Sequence, residues 1–172
     1  MLAILALAAM QAAMPAPLLK PASAIDCADA AHRAYDFFLG DWDVFDTRSN
    51  VLVARSRIEK VMGGCAMRET FDQSVGPGGA PIDYHGSSYT ALNTGDRLWR
   101  QLYIDTAGAA FSYTGGLQNG AMVLTAAAGQ RANRMTVAPQ ADGTVRQTGV
   151  LSRDGGKTWQ PGYSFTYRRR AA

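Results

Sequence analysis

Histidine and cysteine are scarce in this chain, with two of each among 172 residues. A structural zinc site needs four nitrogen or sulfur ligands brought together. His32 and His85 lie far apart, and a disulfide argued below takes both thiols, so no metal set can be written. No Gly-x-Ser-x-Gly nucleophile elbow occurs. Gly76-Pro77-Gly78-Gly79 lacks the Lys-Ser/Thr that a phosphate-binding loop requires, and reads as a turn. No cofactor is therefore expected. Basic charge is thin as well. Of 17 Lys and Arg, Lys20 precedes Ile25, leaving 16 against 14 Asp and Glu, a net of +2 from Ile25 onward. Arg168, Arg169 and Arg170 supply three of those positives, and without them the body carries −1. The alkaline balance comes from a tail and not from a basic face, which argues against nucleic acid as a partner. The tail is a solvated terminus, with weak attraction to anionic lipid or cell-wall polymer as the alternative. No repeat and no linker-like stretch divides the chain, which has the length of one domain.

Long apolar runs are also missing, apart from one. Met1 to Met14 is almost entirely Leu, Ala, Ile and Met, and Pro15, Pro17 and Pro21 follow before Ala22-Ser23-Ala24. Such a run falls short of the roughly 20 apolar residues that span a bilayer. An apolar core followed by small residues is the pattern of a secretory signal peptide. Residues 1–24 are expected to be that peptide, cleaved after Ala24, and residues 25–172 to be one domain with no transmembrane segment, periplasmic or secreted. Ile25-Asp26 separate Cys27 from any small-residue lipidation box. In an oxidising compartment an even cysteine count implies a bridge, here Cys27–Cys65.

Ala31, Ala34, Tyr35, Phe38 and Leu39 recur at helical spacing, predicting one short helix over Ala28–Leu39 that Gly40 ends. Beyond it the chain alternates strand-like runs with turn clusters. Strands are expected near Trp42–Val44, Val51–Ile58, Cys65–Ser74, Ile82–Leu92, Leu98–Asp105, Ala109–Leu117, Ala121–Ala127, Arg134–Pro139, Thr144–Ser152 and Thr158–Arg168. Asn119-Gly120 is a strong hairpin signal, because a type I′ turn takes positive φ at both central positions. About ten short strands with tight turns make an all-β meander. There is no room for crossover helices, which excludes a parallel α/β fold. Without long Greek-key connections, an antiparallel up-and-down β-barrel is preferred to a sandwich, since closure removes exposed edges.

Residues Tyr35-Asp36-Phe37-Phe38-Leu39-Gly40-Asp41-Trp42-Asp43-Val44 resemble the opening of an uncharacterised family of exported bacterial domains, lipocalin-like in fold, that begin Phe-Asp-Phe-x-Leu-Gly-x-Trp-x-Val. The resemblance continues through Gly63-Gly64-Cys65-x-Met67-x-Glu69, Trp99-x-Gln101-x-Tyr103-x-Asp105 and Ser152-x-Asp154-Gly155-Gly156-x-Thr158-Trp159. It implies a calycin-like barrel whose closed end Trp42 plugs, and carries no established activity. Ten-stranded haem barrels of the nitrobindin type open with Gly-x-Trp-x-Gly-x-Gly. Val44 and Asp46 break that motif here. Haem also needs an axial ligand, usually histidine, whereas His32 is expected to face water and His85 to lie on a loop or outer strand surface. Ser152 to Trp159 has the form of an Asp-box, a folded hairpin turn with a structural role.

Side chains alternate across a strand, so Trp99, Gln101, Tyr103 and Asp105 share one face and Leu98, Arg100, Leu102 and Ile104 the other. An ordinary core would place the aliphatic face inside. Large aromatics beside an amide instead match the lining of a ligand cavity. Cys65, Met67, Glu69 and Phe71 form a second such face, and Tyr163, Phe165 and Tyr167 a third. The expected site is a mainly aromatic interior binding a small apolar or amphipathic ligand through Glu69, Trp99, Gln101, Tyr103 and Asp105. Arg146, or else Arg57, would pair Glu69, since a lone buried carboxylate is costly. Three functions stay open at this point: a binding barrel, an enzyme with Glu69 as general acid/base, and an envelope protein whose barrel is filled by a polar network. N-terminal sequencing of the exported protein should begin at Ile25, and a chain exported with Met1 intact would overturn the signal-peptide assignment.

Overall fold

The computed structural model describes residues 26–170, so the expected signal peptide and its cleavage point lie outside the described residues. The described chain is all-β. Its ten strands are β1 (Gly40–Asp46), β2 (Leu52–Val61), β3 (Ala66–Val75), β4 (Pro81–Leu92), β5 (Trp99–Asp105), β6 (Ala110–Gln118), β7 (Ala121–Ala128), β8 (Arg131–Pro139), β9 (Val145–Ser152) and β10 (Gln160–Arg169). Each pairs antiparallel with its sequence neighbours, and β1 pairs with β10 from Trp42↔Arg169 to Asp46↔Phe165, closing the barrel. Every expected strand is present, with ends displaced by a few residues. The largest displacements are three residues, at the start of β8, which begins at Arg131, and at the end of β2, which runs on to Val61.

The turns follow their residues. Asn119 and Gly120 both have positive φ, 49° and 81°, as the β6–β7 hairpin demands. Between β9 and β10, Asp154 Oδ1 accepts hydrogen bonds from the backbone N–H groups of Lys157 (3.0 Å) and Thr158 (2.9 Å), and from Ser152 Oγ (2.8 Å). The Asp-box is thus a turn built by one carboxylate. Trp159 follows it, half-buried, with the Arg134 guanidinium 4.0 Å above its ring.

The helix expected over Ala28–Leu39 is replaced by successive turns and a single 3-10 turn at Asp36–Phe38. His32, Tyr35 and Phe38 are the buried residues of this stretch, a period of three that suits 3-10 turns better than an α-helix. A twelve-residue α-helix is marginal without packing along its length, and here tertiary anchors hold both ends of the segment. Cys27 is bridged to Cys65, with Cα atoms 4.9 Å apart, beside the Gly63-Gly64 turn. At the other end Phe38 packs against Tyr167 and Trp42. His32 does not face water. It is 3 % exposed, and Asp29 Oδ1 receives both its backbone N–H (2.8 Å) and Nδ1 (2.8 Å).

This segment stoppers one end of the barrel. Trp42 is fully buried and donates its indole N–H to the Phe38 carbonyl at 3.0 Å. Its ring meets Tyr167 edge-on, and Tyr35 meets Trp99 the same way. Leu124, Val137 and Val145 complete the layer. Replacing Trp42 by Ala removes a fully buried aromatic and an internal hydrogen bond, and should cost about 3–5 kcal/mol in chemical denaturation. Trp159→Ala, losing a half-buried ring and a cation–π contact, should cost about 1 kcal/mol. Equal losses at both positions would refute the stopper role.

Candidate functional site

The opposite end of the barrel is open. Above the stoppered layer lies a cavity of about 420 Å3, floored by Glu69, Gln101, Gln147 and Tyr167 and walled by Tyr84, Tyr103, Phe111, Tyr113, Tyr163 and Phe165. Pro77, Ile82 and Leu151 form part of its lip. The alternation that set up this lining is visible in β5. Trp99 and Gln101 are buried and Tyr103 and Asp105 half-buried, while Leu102 and Ile104 are more than half exposed on the outer wall.

The structure brings Glu69, Gln101, Tyr103 and Asp105 to one cavity. Trp99 shares their face but lies below the floor, in edge contact with Tyr35, so it supports the site from beneath. Arg146 is elsewhere. Val145 and Gln147 point inward from β9, which turns Arg146 to the outer face. Arg57 is outward for the same reason, between inward Ser56 and Ile58, and sits near Asp41 and Glu59. Neither arginine pairs Glu69. Strand parity places both guanidinium groups on the outer side of the wall, so the cation expected for this buried carboxylate is not supplied by either.

Glu69 is instead held by hydroxyls. Ser56 Oγ donates to its Oε1 at 2.8 Å, and Ser88 also supports the carboxyl. The Gln101 amide N–H2 donates to Ser88 Oγ (3.2 Å) and Thr90 Oγ1 (3.0 Å), which locks the amide to β4. Across the floor, the Tyr167 hydroxyl donates to Gln147 Oε1 at 2.6 Å. Burial pushes the Glu69 carboxyl above the usual carboxylate range, and the two serine hydroxyls offset only part of that shift. Tyr35 and Tyr167 are also pushed up, by burial first, and remain neutral phenols.

Nearer the mouth, Tyr84 donates to Asp105 Oδ2 at 2.9 Å, and the Tyr84 and Tyr103 hydroxyls are 2.6 Å apart. Because the Tyr84 O–H is donated to Asp105, Tyr103 is the donor to the Tyr84 oxygen. Asp105 Oδ1 accepts the backbone N–H groups of Ala107 and Ala109, so this residue also shapes the β5–β6 turn. Two glycines set the tyrosine rings. A Cβ on Gly86 would lie 2.0 Å from the Tyr103 hydroxyl oxygen, and one on Gly149 would lie 2.1 Å from Tyr163 Cε1. Both rings therefore lie against the neighbouring strand, in space that only glycine leaves free.

Beside the mouth the wall itself parts. β6 and β7 pair from Gln118↔Ala121 only as far as Thr114↔Thr125, leaving Ala110–Tyr113 and Ala126–Ala128 without cross-strand partners on that side. A second cavity, of about 480 Å3, fills this parting and shares Phe111, Asn133 and Leu151 with the first. Tyr84, Tyr113, Gln147, Ser56 and Ser88 were not singled out in the sequence. Tyr84 and Ser88 share a face of β4, but Gly86 and Ser88 are small and make that face look empty. His85 lies on the outer wall between Asp72 and Asp83, with its ring nitrogens 2.6 and 2.9 Å from their carboxylates, in no contact with the cavity. Among the described residues no cluster of three or more His, Cys, Asp or Glu is arranged to hold a metal, and no helix is long and apolar enough to cross a membrane. The fold and site together define a closed ten-stranded barrel with a deep aromatic cavity open at one end. A scan against protein-family models finds no match, and a search of curated proteins finds none either.

A buried carboxyl whose folded pKa is raised above its unfolded value lowers stability as pH rises from the unfolded value toward the folded one. The Glu69 contribution is thus complete below about pH 4.5 and is lost above it. Glu69→Gln keeps the Ser56 acceptor and carries no charge. Its melting temperature should match the parent in acid and exceed it increasingly above that pH. Parallel curves for the two proteins would show that Glu69 ionises as freely folded as unfolded.

Proposed function

We propose that this protein is an exported binding barrel that holds a small, partly apolar molecule in its interior, in the periplasm or outside the cell. The observation that carries this is the cavity of about 420 Å3 reaching from the mouth to Glu69 and Gln101. A barrel serving only as an envelope building block has no use for such a space, and its volume lies in the range of small-molecule sites. Eight to ten strands enclose room for one such ligand. Aromatic walls over a floor of amide, carboxyl and phenol groups favour a molecule with an apolar body and a polar end. The Cys27–Cys65 bridge is compatible with an oxidising compartment. Membership of the lipocalin-like exported family is proposed from the Tyr35–Val44 opening together with the Gly63–Glu69, Trp99–Asp105 and Ser152–Trp159 motifs, and a closed antiparallel barrel is the fold it would require.

Binding is preferred to catalysis because Glu69 stands without a second acid or base. Its partners are the hydroxyls of Ser56 and Ser88, and the carboxylate of Asp105 is occupied by Tyr84 and two backbone N–H groups. The neutral fluorophore N-phenyl-1-naphthylamine should bind with a rise in emission. Leu151→Trp, which crowds the lip from inside, should weaken binding about 10-fold or more, a loss of about 1.4 kcal/mol. Leu102→Trp, on the outer wall, should leave binding unchanged. No emission change with the parent, or equal losses in both variants, would end the proposal.

A further inference from the structure

We infer that the ligand carries a positive charge: the cavity is built for a compact organic cation, an ammonium group attached to an apolar or aromatic body. The inference rests on the binding function proposed above and specifies its ligand class. Its basis is a charge imbalance in the interior. Glu69 is only 8 % exposed, lies on the cavity floor, and forms no ion pair with any described Lys, Arg or His. A second carboxylate, Asp105, stands on the wall above it. The one arginine of the lining, Arg134, does not answer them. It alternates with inward-facing Asn133 and Met135, and its guanidinium lies over the Trp159 ring at 4.0 Å. Two carboxyl groups therefore share a space whose own cations are all directed elsewhere.

The walls add to the same sign. Tyr163 lies flat over Gly149, stacked 5.0 Å from Phe165 at an interplanar angle of 27°, and Tyr103 lies across Gly86. Both rings line the cavity, and an aromatic face is the negative part of the ring's quadrupole. Tyr103 hydrogen-bonds to Tyr84, which directs its proton along the wall and away from the centre of the cavity. Aromatic faces around a carboxylate are the arrangement by which proteins take up alkylammonium groups. The serine hydroxyls hold Glu69 in place without neutralising it, and an incoming cation would supply the missing counter-charge. A buried carboxyl pushed toward its neutral form by desolvation gains most from that partner.

The test compares two probes of one shape, phenyltrimethylammonium and tert-butylbenzene, each competing against N-phenyl-1-naphthylamine on the parent protein. The neutral probe escapes from water more readily, so a preference for the cation isolates the electrostatic contribution. The cation should displace the fluorophore at a concentration about 10-fold lower, the scale of a desolvated cation–π site beside a carboxylate. Glu69→Gln, shown to be folded by its circular dichroism and cooperative melting, should lose the preference. Fluorophore binding without a preference for the cation, or a preference that survives Glu69→Gln, would overturn the inference while leaving the binding function standing. A parent that binds no fluorophore would remove both.

Discussion

The pairing of β1 with β10 is the contact on which the rest of this structure depends. It converts a ten-stranded meander, with two edges and one half-wet face, into a barrel with no free edge along that seam and a true inside. Once the wall closes, every inward side chain must either meet another across the lumen or leave space. At one end the chain fills that space with Trp42, Tyr167, Phe38, Tyr35 and Trp99. At the other, no segment among the described residues covers the lumen in the same way, and the inward residues line a cavity instead. The segment before β1 makes the difference, and the Cys27–Cys65 bridge ties it to the β3 end of the wall. In the chain-entropy description, closing a loop of this length contributes about 3–4 kcal/mol.

The boundary between the filled and open halves is polar, and there the barrel's energetics and its chemistry meet. Ser56, Glu69, Ser88, Thr90, Gln101 and Gln147 are all buried at this level. Buried polar groups are tolerated when they are hydrogen-bonded, and the hydroxyl, amide and phenol members are linked to one another. Glu69 differs in kind, because hydroxyls hold its carboxyl but no cation among the described residues balances its charge. Replacing it with an amide would serve a purely structural layer equally well. Its carboxyl beneath aromatic walls is therefore the group through which the stability of this layer depends on pH.

Most of the architecture was legible in the sequence, because strand alternation and turn chemistry are local. Turn clusters such as Asn119-Gly120 and the Asp-box from Ser152 to Trp159 bend the chain by themselves, whatever surrounds them. The aromatic face of β5 was legible for a related reason. Leu102 and Ile104 alternate with Gln101 and Tyr103, and an aliphatic row opposite an amide and a phenol can be sorted once one face must be the interior. The stretch before β1 reads as a short helix because Ala31, Tyr35 and Phe38 fit a period near 3.6, whereas the residues buried follow a period of three. Only the packed barrel end distinguishes the two.

The sequence by itself determined ten antiparallel strands, their turns, and which face of each strand carries the aromatic and polar groups, since these depend on neighbours two to four residues apart. Tertiary structure alone decided which faces converge. Strand parity across closed pairings set Arg57 and Arg146 outside the wall and left Glu69 without a cation. The same closure put Trp99 below the floor and not in the lining, and brought Tyr84, Ser56, Ser88 and Gln147 into a site their own stretches of sequence do not announce. Register sets Glu69 beside Ser88 on the next strand, and closure joins residues from opposite ends of the chain, Val44 to Tyr167. Local patterning specifies the wall, and only the closing of the wall specifies what the cavity contains.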